Sequence, residues 1–379
     1  MVAISVIIPV YNAEDFLEES LNSVLNQNFK DFEVICVNDG SKDNSLNILN
    51  KYQKKDKRIK VISQKNSGDG GARNKGLKNA TGDFVYFLDS DDILFPYSLE
   101  KMYDNAINND SDLVLFKVAW LTEDKPLIYN RPIFDFDKKF KKNNFQNFTF
   151  NYRDIKYYVM NSGYFPIWAK FYRKRFLDNF PNDLIFSENT AFGDVLFHIT
   201  SLILASKISF VDDFLYQYRL SNPKSLSHDN SNKMDIFEVI DSVENFLIEN
   251  NFYDEFKKEF TEFKIHQCLY YIPISNSSEY FNKAYEELSK LNIDDLSLSN
   301  NFKGRCNLLL DSKNYSDYLH RLIYYNETLN NTYHIISNSK EISKLIKVNK
   351  KYKKQIDEMK SSNSWKITTP LRKLMSIFK

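Results

Sequence analysis

Asp83-Phe84-Val85-Tyr86-Phe87-Leu88-Asp89-Ser90-Asp91-Asp92 is an apolar run that stops on three carboxylates within four residues. The spacing predicts a strand over 83–88, buried on both faces as strands of a parallel sheet are. The acidic end is costly, because like charges repel unless a cation or wide solvation relieves them. Oxygen-only ligands suit Mg²⁺ or Mn²⁺ held together with a substrate diphosphate. The plainer alternative is an acidic turn capping the next helix. Its place at the end of a buried strand favours the metal.

Working outward, the same pattern recurs. Strands are expected over 4–9, 32–37, 58–63, 83–88 and 113–118. Helices are expected over 13–26, 43–54, 71–80 and 97–109. Such alternation implies right-handed crossovers and a parallel sheet, with ligands at the carboxyl ends of the strands. The second strand is followed by Asn38-Asp39-Gly40-Ser41-Lys42-Asp43. Asp39 could accept the hydrogen bond of a uracil N3–H, whereas Ser41 could merely cap the next helix. The third strand is followed by Asn66-Ser67-Gly68-Asp69-Gly70-Gly71-Ala72-Arg73-Asn74. Its glycines let backbone approach a ligand, the helix N-terminus favours anions, and Arg73 supplies a fixed positive charge. A flexible glycine loop is the bland alternative. Neither a Walker motif nor G-x-G-x-x-G is present, which argues against a dinucleotide dehydrogenase.

The chain has 379 residues, enough for two or three domains. With 31 Phe and 24 Tyr it can bury a sizeable core, which excludes a wholly disordered chain. Cys36, Cys268 and Cys306 are too scattered for a disulfide framework or a cysteine zinc site, and suit a reducing, cytosolic compartment. Ser5 and Pro9 interrupt the apolar opening, and no basic segment precedes it, so no secretory signal is expected. No apolar run reaches the roughly 18 residues that a membrane span requires. Residues 339–379 hold twelve Lys/Arg against three Asp/Glu, a net of +9 in a chain of +1, which leaves −8 for residues 1–338. An acidic body argues against nucleic acid as partner.

Together, Ser5-Val6-Ile7-Ile8-Pro9-Val10-Tyr11-Asn12, Asn38-Asp39-Gly40-Ser41, Gly71-Ala72-Arg73-Asn74 and Asp89-Ser90-Asp91-Asp92 resemble glycosyltransferase family 2. The motifs stand in order, after successive strands. The resemblance implies an α/β GT-A fold, Rossmann-like with a mostly parallel central sheet, followed by a mainly helical C-terminal region. It implies donor contacts from Pro9, Tyr11, Asn12, Asp39, Gly71, Arg73, Asp89 and Ser90, with Asp39 on the nucleobase. Asp89-Ser90-Asp91 would be the metal-binding D-x-D for Mn²⁺ or Mg²⁺, with Asp91 the direct ligand. Trp168-Ala169-Lys170-Phe171-Tyr172 is similar to the family's Trp-x-Lys segment, and Phe192-Gly193-Asp194-Val195-Leu196-Phe197 to the segment carrying the base. Asp194 takes that role, with Glu188 as fallback. Gly193 stands where many relatives have Glu. Tyr216-Gln217-Tyr218-Arg219 through His228 also resembles the family's pattern, and His228 would complete the metal shell.

Four segments are thus expected: a nucleotide-sugar half over 1–118, an acceptor half with the base over 119–230, a helical domain over 231–338 and a basic amphipathic tail over 339–379. The helical domain would cover the acceptor side or mediate self-association into a homo-oligomer. The tail, with Trp365 and Phe378 among basic residues, suits peripheral contact with the inner face of the cell membrane, although Pro370 splits its helix. The expected partners are a UDP-sugar or other nucleoside-diphosphate sugar and a glycan or lipid-linked acceptor. The expected reaction is inverting, metal-dependent sugar transfer in cell-surface polysaccharide synthesis. The rivals are a degenerate sugar-nucleotide-binding scaffold and a sugar-1-phosphate nucleotidyltransferase. The latter would need a basic glycine loop where Tyr11-Asn12-Ala13-Glu14 stands.

Overall fold

Seven consecutive buried residues, Ile4–Val10, form β1 at the centre of the sheet. The computed structural model describes residues 2–122, 125–127, 148–161, 166–181, 186, 192–222, 233–275, 277–291, 293 and 300–322. Glu188, His228 and the tail from 339 lie outside the described residues.

β1 is flanked in parallel by β2 (Phe32–Asn38) and β4 (Phe84–Phe87), and β3 (Ile59–Ser63) lies parallel beyond β2. Both neighbours and covering helices surround β1 and β2, so every residue in them is buried. The crossover helices are α1 (Leu17–Leu25), α2 (Ser45–Lys55) and α3 (Gly68–Asn79). α3 lies so close to β1 that a Cβ on Gly76 would stand 2.3 Å from Ile7 Cγ2. Only a glycine fits there.

Beyond β4 the sheet becomes mixed. β5 (Ile93–Leu94) and α4 (Ser98–Asn108) precede a ten-residue β6 (Leu113–Thr122), which turns back through β7 (Lys125–Leu127). α5 (Lys156–Asn161) leads, past a 3₁₀ turn at Ile167–Ala169, to β8 (Lys170–Arg173) and the short α6 (Lys174–Leu177). α7 (Gly193–Leu204) is followed by β9 (Ile208–Arg219). Among the described residues the order is β3-β2-β1-β4-β8-β6-β9-β5, with β7 on β6, nine strands. β8 inserts antiparallel between β4 and β6. The strand expected over 113–118 is therefore not the next parallel neighbour of β4.

Two short strands are expected at 207–211 and 215–219, but one continuous β9 runs through both. Asp212 and Asp213, which break the apolar pattern, pair with Lys117 and Lys101. A register shift at Phe116–Val118 absorbs the irregularity.

The helical region contains α8 (Asp235–Glu249), α9 (Tyr253–Ser275), α10 (Ser278–Ser289) and α11 (Asn300–Leu310). The chain divides into two compact units, 1–306 and 307–379. The second is described only over 307–322, where Arg321 Nε pairs with Asp317 at 3.1 Å. Cys36, Cys268 and Cys306 are free and buried. No helix among the described residues is long and apolar enough to cross a membrane.

Candidate active site

The carboxyl ends of the parallel strands are fastened by side chains rather than by further sheet. Asn12 takes a positive φ of 49° just after β1. Its amide donates to Ser41 Oγ at 3.2 Å, and its Oδ1 accepts from the Lys42 amide at 2.8 Å. Ser41 Oγ donates in turn to the Val10 carbonyl at 3.3 Å. The first two strand ends are thereby joined, leaving the Tyr11 side chain exposed. Pro9 lies inside β1, opposite Val37, and brings no polar group to the rim.

Asp39 is buried, and its carboxylate is already engaged. It accepts from the Ser67 amide at 3.0 and 3.2 Å and from Gln64 Nε2 at 2.8 Å. Gly40, at φ +74°, lets the turn pass beside Asn66, whose amide nitrogen would lie 3.1 Å from a Cβ there. Sequence reasoning missed Gln64 and Ser67. The signal was their position, polar and directly after the strand that neighbours Asp39 in parallel.

The glycine segment is not a free loop. Helix α3 begins at Gly68, three residues before the expected start, and takes Gly70 and Gly71 into its first turn. That places Asp69 one turn before Arg73, in ion-pair contact at 2.9 Å. Arg73 is 7% exposed and also donates to Asp89 Oδ1 at 2.8 Å. Burial works against its charge, but Asp69 and Asp89 overcome that and hold its proton more tightly than usual. Its buried Nε has no hydrogen-bond partner among the described residues.

Along the acidic turn the side chains diverge. Burial is the main reason that the Asp89 carboxyl is pushed up to about 6, against the pull of Arg73. Ser90 is half-buried beside it. Asp92 is 0% exposed, turned away from the rim, and bonded to the Tyr216 hydroxyl and to the Arg219 amide at 2.6 Å. Burial, then Asp91 and Asp89, raise its pKa well above the carboxylate range. Asp91 remains at the rim, its Oδ2 accepting from Asn222 Nδ2 at 2.7 Å. Among the described residues no three His, Cys, Asp or Glu side chains converge as a closed metal cage. One rim carboxylate still fits Mg²⁺ or Mn²⁺, which keep several waters and take the remaining oxygens from a diphosphate.

Asp194 sits in the first turn of α7. Burial raises its pKa, while Arg73 and then Lys170 pull it back. Lys170 is 1% exposed and donates from Nζ to the Pro166 carbonyl at 2.5 Å. Burial lowers its pKa to about 7, opposed by Asp194. The structure thus brings Asp89, Arg73, Lys170 and Asp194 into one electrostatic neighbourhood. Trp168 stacks flat on Tyr216, 4.3 Å between ring centroids, and its carbonyl accepts from the Tyr86 hydroxyl at 2.9 Å.

A model of the family described as Glycosyl transferase family 2 matches residues 5–178. The chain is 32% identical over 225 residues to an uncharacterized glycosyltransferase, EpsJ, of Bacillus subtilis, covering 59% of this chain and 62% of that one. It is 30% identical over 300 residues to a cholesterol galactosyltransferase of Borreliella burgdorferi, covering 75% of this chain and 80% of that one. The chain thus spans somewhat less than two thirds of the first relative and most of the second. Among solved structures, S. aureus TarS 1-349 in complex with UDP-GlcNAc matches with a TM-score of 0.64 and 24% identity, over 86% of this chain and 92% of that one. That likeness bears on the fold, a GT-A sheet with a helical region after it. With its motifs at the strand ends and relatives that align along most of their length, the chain belongs to glycosyltransferase family 2.

Proposed function

We propose that the chain transfers a sugar from a nucleoside-diphosphate sugar, with UDP as the nucleotide, to a hydroxyl of a glycan, lipid-linked or polyol-phosphate acceptor of the cell surface, with inversion in a single displacement. The observation that carries this is the shared neighbourhood of Arg73, Asp89 and Asp194, which joins the donor turns to a half-buried carboxylate on a helix that follows the parallel half of the sheet. Asp194 accepts the proton of the acceptor hydroxyl as its oxygen attacks the anomeric carbon. The bond from that carbon to the diphosphate oxygen breaks, and the nucleoside diphosphate leaves with the bonding pair. Arg73, preorganised by Asp69 and Asp89, faces the growing negative charge. Asp91 is the residue to hold a divalent cation, Mn²⁺ or Mg²⁺, which when bound would supply further positive charge to the leaving diphosphate. A carboxylate is a weak base for an alcohol, so proton transfer is concerted with attack. Asp39 shares its carboxylate between the 64–67 turn and the nucleobase.

Calorimetric titration of UDP with and without Mn²⁺, beside Asp91→Ala, tests the donor site. Metal-dependent binding that the variant loses is the expected result. Absence of binding to the unaltered protein in both conditions would overturn UDP as the nucleotide. Nucleotide binding without any sugar turnover would favour the scaffold alternative.

A further inference from the structure

The acidic turn is held in place by residues at the end of β9, a segment to which the sequence gives no role in positioning that turn. Arg219, the last residue of β9, is 4% exposed and makes contacts in four directions. Its amide donates to Asp92 Oδ1 at 2.6 Å. Its Nε donates to the carbonyl of Asp91 at 2.8 Å, and an Nη2 to Glu19 on α1. Its guanidinium carbon stands 4.6 Å from the centre of the Phe16 ring. The second oxygen of Asp92 receives the Tyr216 hydroxyl, and the Tyr216 ring is fixed against Trp168. The main chain at Asp91 is therefore gripped on its carbonyl and, through Asp92, on its following residue. The Asp91 carboxylate itself stays on the rim with Asn222. No contact of this grip is made by the donor turns. All come from residues far along the chain, from α1 or from Phe16 just before it.

We propose that Arg219 and Asp92 form a clamp through which the second half of the sheet positions Asp91, and so sets how strongly the acidic turn grips a cation-bound nucleoside diphosphate. The proposal rests on the functional reading above. Arg219 and Asp92 are positioning residues: neither touches the diphosphate. Fixing the carbonyl and the next side chain fixes the direction of the Asp91 Cα–Cβ bond, which is what a ligating carboxylate requires of its supporting shell. An arginine is needed because its planar fork serves the carbonyl and Glu19 at once, which a lysine cannot do. Glu19 is half exposed and is the dispensable end of the arrangement.

The test compares UDP binding, with and without Mn²⁺, in the unaltered chain, Arg219→Lys, Asp92→Asn and Glu19→Gln. Loss of a supporting partner costs a metal ligand about tenfold or more in affinity. Arg219→Lys and Asp92→Asn are therefore expected to weaken the Mn²⁺-dependent part of UDP binding about tenfold and to leave metal-free binding unchanged. Glu19→Gln is expected to change either by less than about twofold. A general loss of structure would lower both parts together, and that result would overturn the proposal. So would variants with an undiminished metal-dependent part. Backbone hydrogen exchange over residues 89–92, measured without nucleotide, gives an independent reading. Faster exchange in Arg219→Lys is expected, and unchanged exchange contradicts the clamp even if the donor proves not to be UDP.

Discussion

The two halves of the sheet solve opposite problems. In β3-β2-β1-β4 every pairing is parallel, and the turns after β1, β2 and β3 are tied to one another by their own side chains. Ser41, Asn12 and Asp39 do this work, with Gln64 and Ser67 as partners. In β8-β6-β9-β5 the strands run in both directions and come from segments far apart in sequence. This half supplies the buried Lys170, the half-buried Asp194 at the start of α7, and the Tyr216 and Arg219 contacts that hold the acidic turn. The difference teaches a division of labour: local turns shape the donor surface, and long-range packing places the charges that act on it.

Arg73 sits where the halves meet, and removing it should have the largest structural effect. Arg73→Met leaves the largely buried Asp89 without its cation, and breaking such a pair from one side costs about 3 kcal/mol. Chemical denaturation measures this; a loss below about 1 kcal/mol would mean that Asp89 does not depend on this cation. Lys170 gives a pH test of the second half. Its folded pKa of about 7 lies below the ordinary lysine value of 10.5. Between those values the unfolded chain binds more protons, so stability rises with pH across that window and the cost of charging the buried amine is complete below about 7. The unaltered chain should therefore gain about 2–4 kcal/mol relative to Lys170→Met between pH 7 and 10. Parallel stability curves would show that Lys170 is comfortably solvated. Gly76→Ala probes the parallel half alone. Its methyl group would collide with Ile7 beneath α3, for a cost of about 1–3 kcal/mol and a lower melting temperature. An unchanged melting temperature would show that α3 moves freely off β1.

The same contrast explains what could be read from the residues. The parallel strands and their end motifs are local, so continuous apolar runs at 4–9, 32–37 and 83–88 located β1, β2 and β4 within about a residue. The start of α3 was misplaced because three glycines suggest a loop, whereas Asp69 and Arg73 at helical spacing already marked a turn of helix. The mixed half hides its order: β8 joins β4 to β6 only by tertiary pairing, and Asp212 with Asp213 makes β9 look like two strands. Asp92 was grouped with the metal-binding carboxylates because sequence spacing does not show which way a side chain turns. Burial against Tyr216 decides that. Arg219 lay within a quoted motif without a role, since its partners Asp91 and Glu19 lie far from it in the chain.

The division of labour is tested most directly at Asp194, in Asp194→Asn. UDP binding in the presence of Mn²⁺ is measured beside UDP release from a panel of UDP-sugars. The account predicts donor affinity equal to that of the unaltered chain, because the parallel half is untouched, and a rate of release lower by about 10²–10⁴, the scale of a lost general base. Release at the original rate, with binding intact, would contradict it and move the base to another residue.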